Sequence, residues 1–128
     1  MEKRNLGNTG TKVGALGIGA MSFSDFYGPT NTQESHAILK MALDNGIDHI
    51  DTAKVYGMGL SEERIGQFLN TLNPKDRQFF KIATKGGIDR KNFDDKGTVV
   101  FDNSKEFLTE ELNNSLRRLG VDCVELYY

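Results

Sequence analysis

The sequence predicts an α/β fold built on parallel strands, and three observations carry that prediction. Short apolar segments alternate with longer ones whose apolar residues recur three and four apart. The longer segments open on Asn, Thr or Ser and close on Gly or on an Asn-Pro pair, the signals that start and stop helices. The order that results after a short hairpin is strand, helix, strand, helix, strand, helix, strand. Such an order means parallel strands joined by helical crossovers.

Lys3–Leu6 and Thr11–Val13 flank the turn-rich Gly7–Gly10 and read as the hairpin. Leu16–Met21 is a small-residue strand, and Ser22–Asn31, with Gly28-Pro29, is a loop. Asn31 or Thr32 caps the first helix, with Glu34 in its first turn. Its apolar positions are Ile38, Met41 and Ala42, and Asn45-Gly46 ends it through a left-handed cap. Ile47–Asp51 is the next strand. Ser61 is expected to cap the second helix, with Glu62 and Glu63 near its positive end and Ile65, Phe68, Leu69 and Leu72 as its apolar stripe. Asn73-Pro74 ends that helix. Phe79–Thr84 is a strand, and Gly86–Asn103 reads as a long polar loop whose mixed-charge run Asp89–Lys96 is solvated. Asn103 or Ser104 opens the third helix, with Leu108, Leu112, Leu116 and Leu119 on one face before Gly120. Val121–Tyr128 is the last strand. This pattern fits an open doubly wound sheet and a slice of a (β/α)₈ barrel equally well.

A length of 128 residues is enough for one domain with a core, and no repeat or linker divides it. Lys and Arg (16) nearly balance Asp and Glu (18), which gives no electrostatic case for nucleic acid or an anionic membrane as partner. No apolar run approaches the roughly 20 residues that span a bilayer. The start, Met1-Glu-Lys-Arg-Asn, does not read as an apolar signal segment. A single cysteine, Cys123, fits a reducing compartment, so a cytoplasmic setting is expected. Cys123 itself reads as a small core residue. His36 is expected at the surface, and His49 is expected to pack under a helix. Two isolated histidines and one distant cysteine give no metal-ligand spacing, so no metal site is expected.

The chemistry concentrates in Asp51-Thr-Ala-Lys-Val-Tyr56-Gly57-x-Gly59-x-Ser61-Glu62 and Thr84-Lys85-Gly86-Gly87. Asp51 ends one strand, Tyr56 follows it, and Lys85 ends the next. Taken singly these are ordinary residues: a turn cap, a packing phenol, a solvated lysine. Together they suggest tuning. A free tyrosine, with a pKa of about 10, is a weak proton donor at neutral pH. A neighbouring ammonium stabilises the phenolate and makes the phenol a better acid, while a carboxylate keeps that ammonium charged and oriented. The glycines Gly14, Gly17 and Gly19 do not form a dinucleotide fingerprint, because no helix opens on the third of them. Gly14 and Gly17 read instead as close packing of a strand.

The same residues, in these contexts, resemble the active-site motif of the aldo-keto reductases, and the resemblance runs from about Arg4 to Tyr128. It implies the first half of a (β/α)₈ barrel: an N-terminal hairpin followed by about four βα units, in one domain over residues 1–128. It also implies reduction of aldehydes or ketones to alcohols, with hydride from NADP(H) and the proton from Tyr56, tuned by Lys85 and Asp51. Gly19, Ala20, Met21 and Asp51 would lie against the nicotinamide ribose. Phe23 and Tyr27 are candidates to line the substrate pocket, and Phe93 to border it. In the family's pattern a catalytic histidine follows a pair like Tyr127-Tyr128, and the residues that hold the rest of the cofactor and select NADPH come later still. A barrel enzyme of this type has about 250 residues, so the 128-residue chain by itself is expected to be inactive and to self-associate through its open sheet edges. Two other readings use the same residues: a non-catalytic subunit of the same fold, and a half-barrel that dimerises.

Overall fold

The computed structural model describes the backbone of residues 1–93 and 99–128 and the side chains of residues 1–89 and 99–128. In chain order its elements are β1 (Lys3–Asn5), β2 (Lys12–Gly14), β3 (Gly17–Gly19), α1 (Thr32–Asp44), β4 (His49–Asp51), α2 (Leu60–Asn70) and α3 (Pro74–Phe79). There follow β5 (Lys81–Thr84), β6 (Ile88–Phe93), β7 (Val99–Phe101), α4 (Lys105–Leu119) and β8 (Leu126–Tyr127). β1 and β2 pair as the expected antiparallel hairpin. β3, β4, β5 and β8 form a parallel sheet in that order. Each strand therefore lies beside the next one of the sheet in sequence, with helices in the connections. A doubly wound sheet reverses its strand order at a switch point; this one does not, and the order is that of consecutive barrel staves.

Alternation along the strands divides the two faces. Ile50 and Ile82 turn towards the helices and join Leu39 and Ala42 of α1, Ile65, Phe68 and Leu69 of α2, and Leu119 of α4 in one apolar core. Phe68 and Phe80 meet edge-on there, with ring centroids 6.1 Å apart. His49 and Asp51 fall on the opposite face. His49 thus does not pack under a helix: its Nδ1 lies 3.2 Å from the Lys81 carbonyl oxygen. A Cβ at Gly17 would come within 3.1 Å of the His49 ring, and one at Gly14 within 3.0 Å of Asp48, so both glycines are there for close packing.

Capping explains the first helix well. Asn31 accepts from the Glu34 amide while Glu34 reaches back to the Asn31 amide, a complete capping box. Its buried stripe, however, is Ser35, Leu39 and Ala42, and the large Ile38 and Met41 are exposed. Of the expected stripe only Ala42 is buried; the face is turned so that Leu39 and the small Ser35, whose Oγ donates to the Asn31 carbonyl oxygen at 3.1 Å, line it instead of Ile38 and Met41. The same shift occurs in α4. Its most buried positions are Glu111, Ser115 and Leu119, of which only Leu119 belongs to the leucine face; the other leucines are half-buried. Glu111 is buried because Lys54 pairs with it at 2.6 Å.

Five further expectations are corrected. Asn73-Pro74 starts a helix as well as following one: Asn73 caps α3, with Pro74 in its first turn, where a missing N–H costs nothing. The stretch Gly86–Asn103 carries a hairpin, β6 against β7, in place of an unbroken loop. Ile88, Val99, Val100 and Phe101 supply the β-formers that the charged run between them obscured; the side chain of Phe93 and the greater part of that run lie outside the described residues. β8 is only Leu126–Tyr127, and Cys123 before it is exposed. His36 is half-buried, with its Nε2 at 3.0 Å from the Arg64 carbonyl oxygen and its ring edge-on to Phe68.

Candidate active site

Parallel register brings the C-terminal ends of the strands together. Gly19 on β3 stands opposite Asp51 on β4, which stands opposite Ala83 on β5, two residues before Lys85. Tyr56 begins a tight turn, Tyr56–Gly59, directly ahead of α2. Gly57, Met58 and Gly59 all take positive φ, at 66°, 56° and 104°. A methionine in that region is uncommon, and such backbone conformations concentrate at functional sites.

At the centre, the Lys85 ammonium donates to Asp51 Oδ1, to the Thr52 carbonyl oxygen at 2.9 Å and to the Tyr56 phenolic oxygen at 3.1 Å. An ammonium has three N–H bonds, and all three are taken. Because Tyr56 accepts from Lys85, its own O–H is free to point elsewhere. Among the described residues no protein acceptor takes that proton. The side chains of Lys85 and Asp51 are 30% and 34% exposed, so the pair is held from below and open above. Burial alone would pull the Lys85 pKa down. Hydrogen bonds and charge attraction from Asp51 and Tyr56 outweigh it, and the ammonium titrates above the ordinary lysine range.

The other predicted residues divide. Gly19 is exposed, and nothing lies within 4 Å of where its Cβ would be, so it leaves an open shelf beside Asp51. Met21 is half-buried next to that shelf. Ala20, by contrast, is fully buried in the core, and its carbonyl oxygen accepts from Ser61 Oγ at 2.8 Å. Phe23 is only 1% exposed and packs in the core. The amphipathic loop around it hid this, because an aromatic side chain beside a predicted pocket is equally suited to packing. Tyr27 is 71% exposed and stacks edge-on against Phe26. Asp51, Tyr56 and Lys85 come together through the Lys85 ammonium.

The sequence reading missed the hydroxyls that support the site. Ser61 caps nothing: α2 starts from Gly59 without a side-chain cap. Ser61 Oγ is instead buried, 2.9 Å from Thr52 Oγ1, and ties the end of β3 to the end of β4. The Ser-Glu pair after Gly59 was the available signal, but at a helix start it reads first as a cap. Among the described residues no group of His, Cys, Asp and Glu is arranged to hold a metal ion.

Comparison with known proteins decides the family. The model of the aldo/keto reductase family matches residues 15–128. This chain belongs to the aldo/keto reductase family. It is 34% identical, over 98% of its length, to "Aldo-keto reductase yakc [NADP(+)]" of Schizosaccharomyces pombe, of which it covers 35%. It is 33% identical to aldo-keto reductase YhdN of Bacillus subtilis, covering 37% of that protein. Among solved structures, the holo form of aldo-keto reductase AKR11C1 from Bacillus halodurans superposes with a TM-score of 0.81 at 35% identity, over 99% of this chain and 39% of that one. The chain thus spans little more than a third of the relatives it matches, and its fold is the N-terminal half of their barrel.

Proposed function

We propose that the protein carrying this chain reduces an aldehyde or ketone to an alcohol, with Tyr56 giving the proton to the carbonyl oxygen. The observation that carries this reading is the saturated Lys85: it fixes the phenolic oxygen and leaves the phenolic proton unclaimed. A nicotinamide cofactor, when bound, supplies the hydride to the carbonyl carbon. The residues of this chain fit its ribose end, since the Asp51 carboxylate can accept from hydroxyls and the bare backbone at Gly19 allows close approach. NADP(H) is the cofactor proposed, on the strength of the Schizosaccharomyces pombe relative's name. Asp51 and the Thr52 carbonyl hold the Lys85 ammonium. The ammonium in turn stabilises the charge left on the Tyr56 oxygen as its proton departs. Residues 1–128 are read as part of one barrel domain, acting on a small carbonyl compound in the cytoplasm.

Tyr56→Phe tests this directly in the natural gene product. It removes only the hydroxyl, so kcat/KM for carbonyl reduction should fall by about 10²–10⁴-fold. Dinucleotide affinity, measured by fluorescence titration, should stay close to that of the unchanged protein. A phenylalanine protein that keeps most of its turnover sinks the assignment.

A further inference from the structure

Glu62 is fully buried, yet it takes no part in the chemistry above. A carboxylate removed from water is stable only where each oxygen has a partner. One oxygen accepts from Thr84 Oγ1 at 2.6 Å, and the other from Arg118 Nε at 2.6 Å. Thr84 is the last residue of β5, immediately before Lys85. Arg118, from α4, lies flat across Gly59, where a Cβ would meet its Cδ at 2.7 Å. Gly59 closes the turn that Tyr56 opens. A second buried pair, Lys54–Glu111 at 2.6 Å, ties the same α4 to the segment between Asp51 and Tyr56.

We infer that Glu62 and Arg118 are positioning residues that set the contact between Lys85 and Tyr56. The inference rests on the proposed proton-donor role of Tyr56. One ion pair grips the strand end that bears Lys85, the turn that bears Tyr56 and the helix behind both. An ordinary structural pair would stabilise α2 against α4 without ending on the neighbours of both reacting groups. Displacing either group by about an ångström is costly for a reaction that depends on alignment.

Three variants of the natural gene product test this. Thr84→Val removes the hydroxyl at nearly constant volume, and Thr84→Ser keeps it. Arg118→Lys keeps the charge and loses the Nε–H that Glu62 accepts. Thr84→Val and Arg118→Lys are expected to lower kcat at least about tenfold while leaving KM for carbonyl and dinucleotide within about twofold, the signature of a contact that matters in the transition state. Thr84→Ser should keep kcat near that of the unchanged protein. A core variant such as Leu39→Val, compared for its loss of melting temperature, should keep kcat as well. If Thr84→Val melts lower but turns over normally, the clamp is structural only and the inference is overturned. If Tyr56→Phe is as active as the unchanged protein, the proton-donor reading fails instead. Crystal structures of the Thr84→Val protein then decide the clamp: Lys85 Nζ and Tyr56 Oη still about 3.1 Å apart, as in the unchanged chain, overturns it, and separation beyond hydrogen-bond reach supports it.

Discussion

Strand β4 is bounded by two aspartates, each bonded to a lysine from elsewhere in the chain, and the two pairs are built for different ends. Asp48 stands just before the strand. It is buried, accepts from the Lys3 ammonium and takes the Gly14 amide at 2.6 Å, so the N-terminal hairpin is fastened across the base of the sheet. Asp51 ends the strand. Its lysine is shared with a phenol, and the pair is about a third exposed. At the base the buried Asp48 carboxylate has a donor on each oxygen; at the rim, among the described residues, the Tyr56 proton is left without an acceptor. Barrel enzymes divide their labour in this way, with stability at the N-terminal end of the strands and chemistry at the C-terminal end.

The comparison breaks most visibly if the rim lysine is neutralised. Lys85→Met should reduce turnover by about 10²-fold or more, since it removes the charge beside the phenol oxygen. It should change stability little, because a partly exposed pair contributes at most about 1 kcal/mol. Steady-state kinetics beside a urea melt would show the split. Full turnover in Lys85→Met would mean that the rim pair is only another clasp.

The base pair predicts the reverse. Asp48→Asn leaves the Lys3 ammonium and the Gly14 amide with a poorer acceptor and should cost about 1–3 kcal/mol of stability without altering kcat of the folded protein. The effect has a pH signature. Burial would raise the Asp48 pKa, but the bonds from Lys3 and Gly14 and the charge of Lys3 outweigh it and hold the carboxyl below its ordinary value. A carboxyl depressed on folding contributes stability above its unfolded pKa, about 3.9, and loses it as pH falls through the lower folded value. Melts taken down through pH 4 should therefore weaken in the unchanged protein and flatten in Asp48→Asn. Equal slopes would remove Asp48 from the argument.

How far the two ends were legible in the sequence follows from how each is made. The rim could be read because its residues sit in two short runs, Asp51–Glu62 and Thr84–Gly87, where strand ends are marked by a change of pattern. The base could not. Lys3 and Asp48 are 45 residues apart, and only the pairing of two unrelated segments gives the contact meaning. The same holds for Glu62 with Arg118: Glu62 reads as a charge at a helix start, and only the packing of α2 against α4 brings Arg118 to it. Strand order resolved what alternation left open between a doubly wound sheet and a barrel. Where periodicity failed, a buried serine or paired glutamate held a core position, Ser35 in α1 and Ser115 and Glu111 in α4, in place of the large apolar residue that the pattern seeks.

The smallest expected effect concerns Tyr27, which lies on neither side of the comparison. It is 71% exposed, with its ring edge-on to Phe26, so Tyr27→Ala should change stability by less than about 0.5 kcal/mol. If Tyr27 lines the substrate pocket, the same substitution should raise KM for a bulky aldehyde a few-fold and leave kcat alone, because a contact made equally in ground and transition states affects binding only. Measuring KM with a small and a bulky aldehyde separates the two roles. Unchanged values for both would restrict the functional rim, within this chain, to the strand ends and the Tyr56 turn, with Tyr27 outside it.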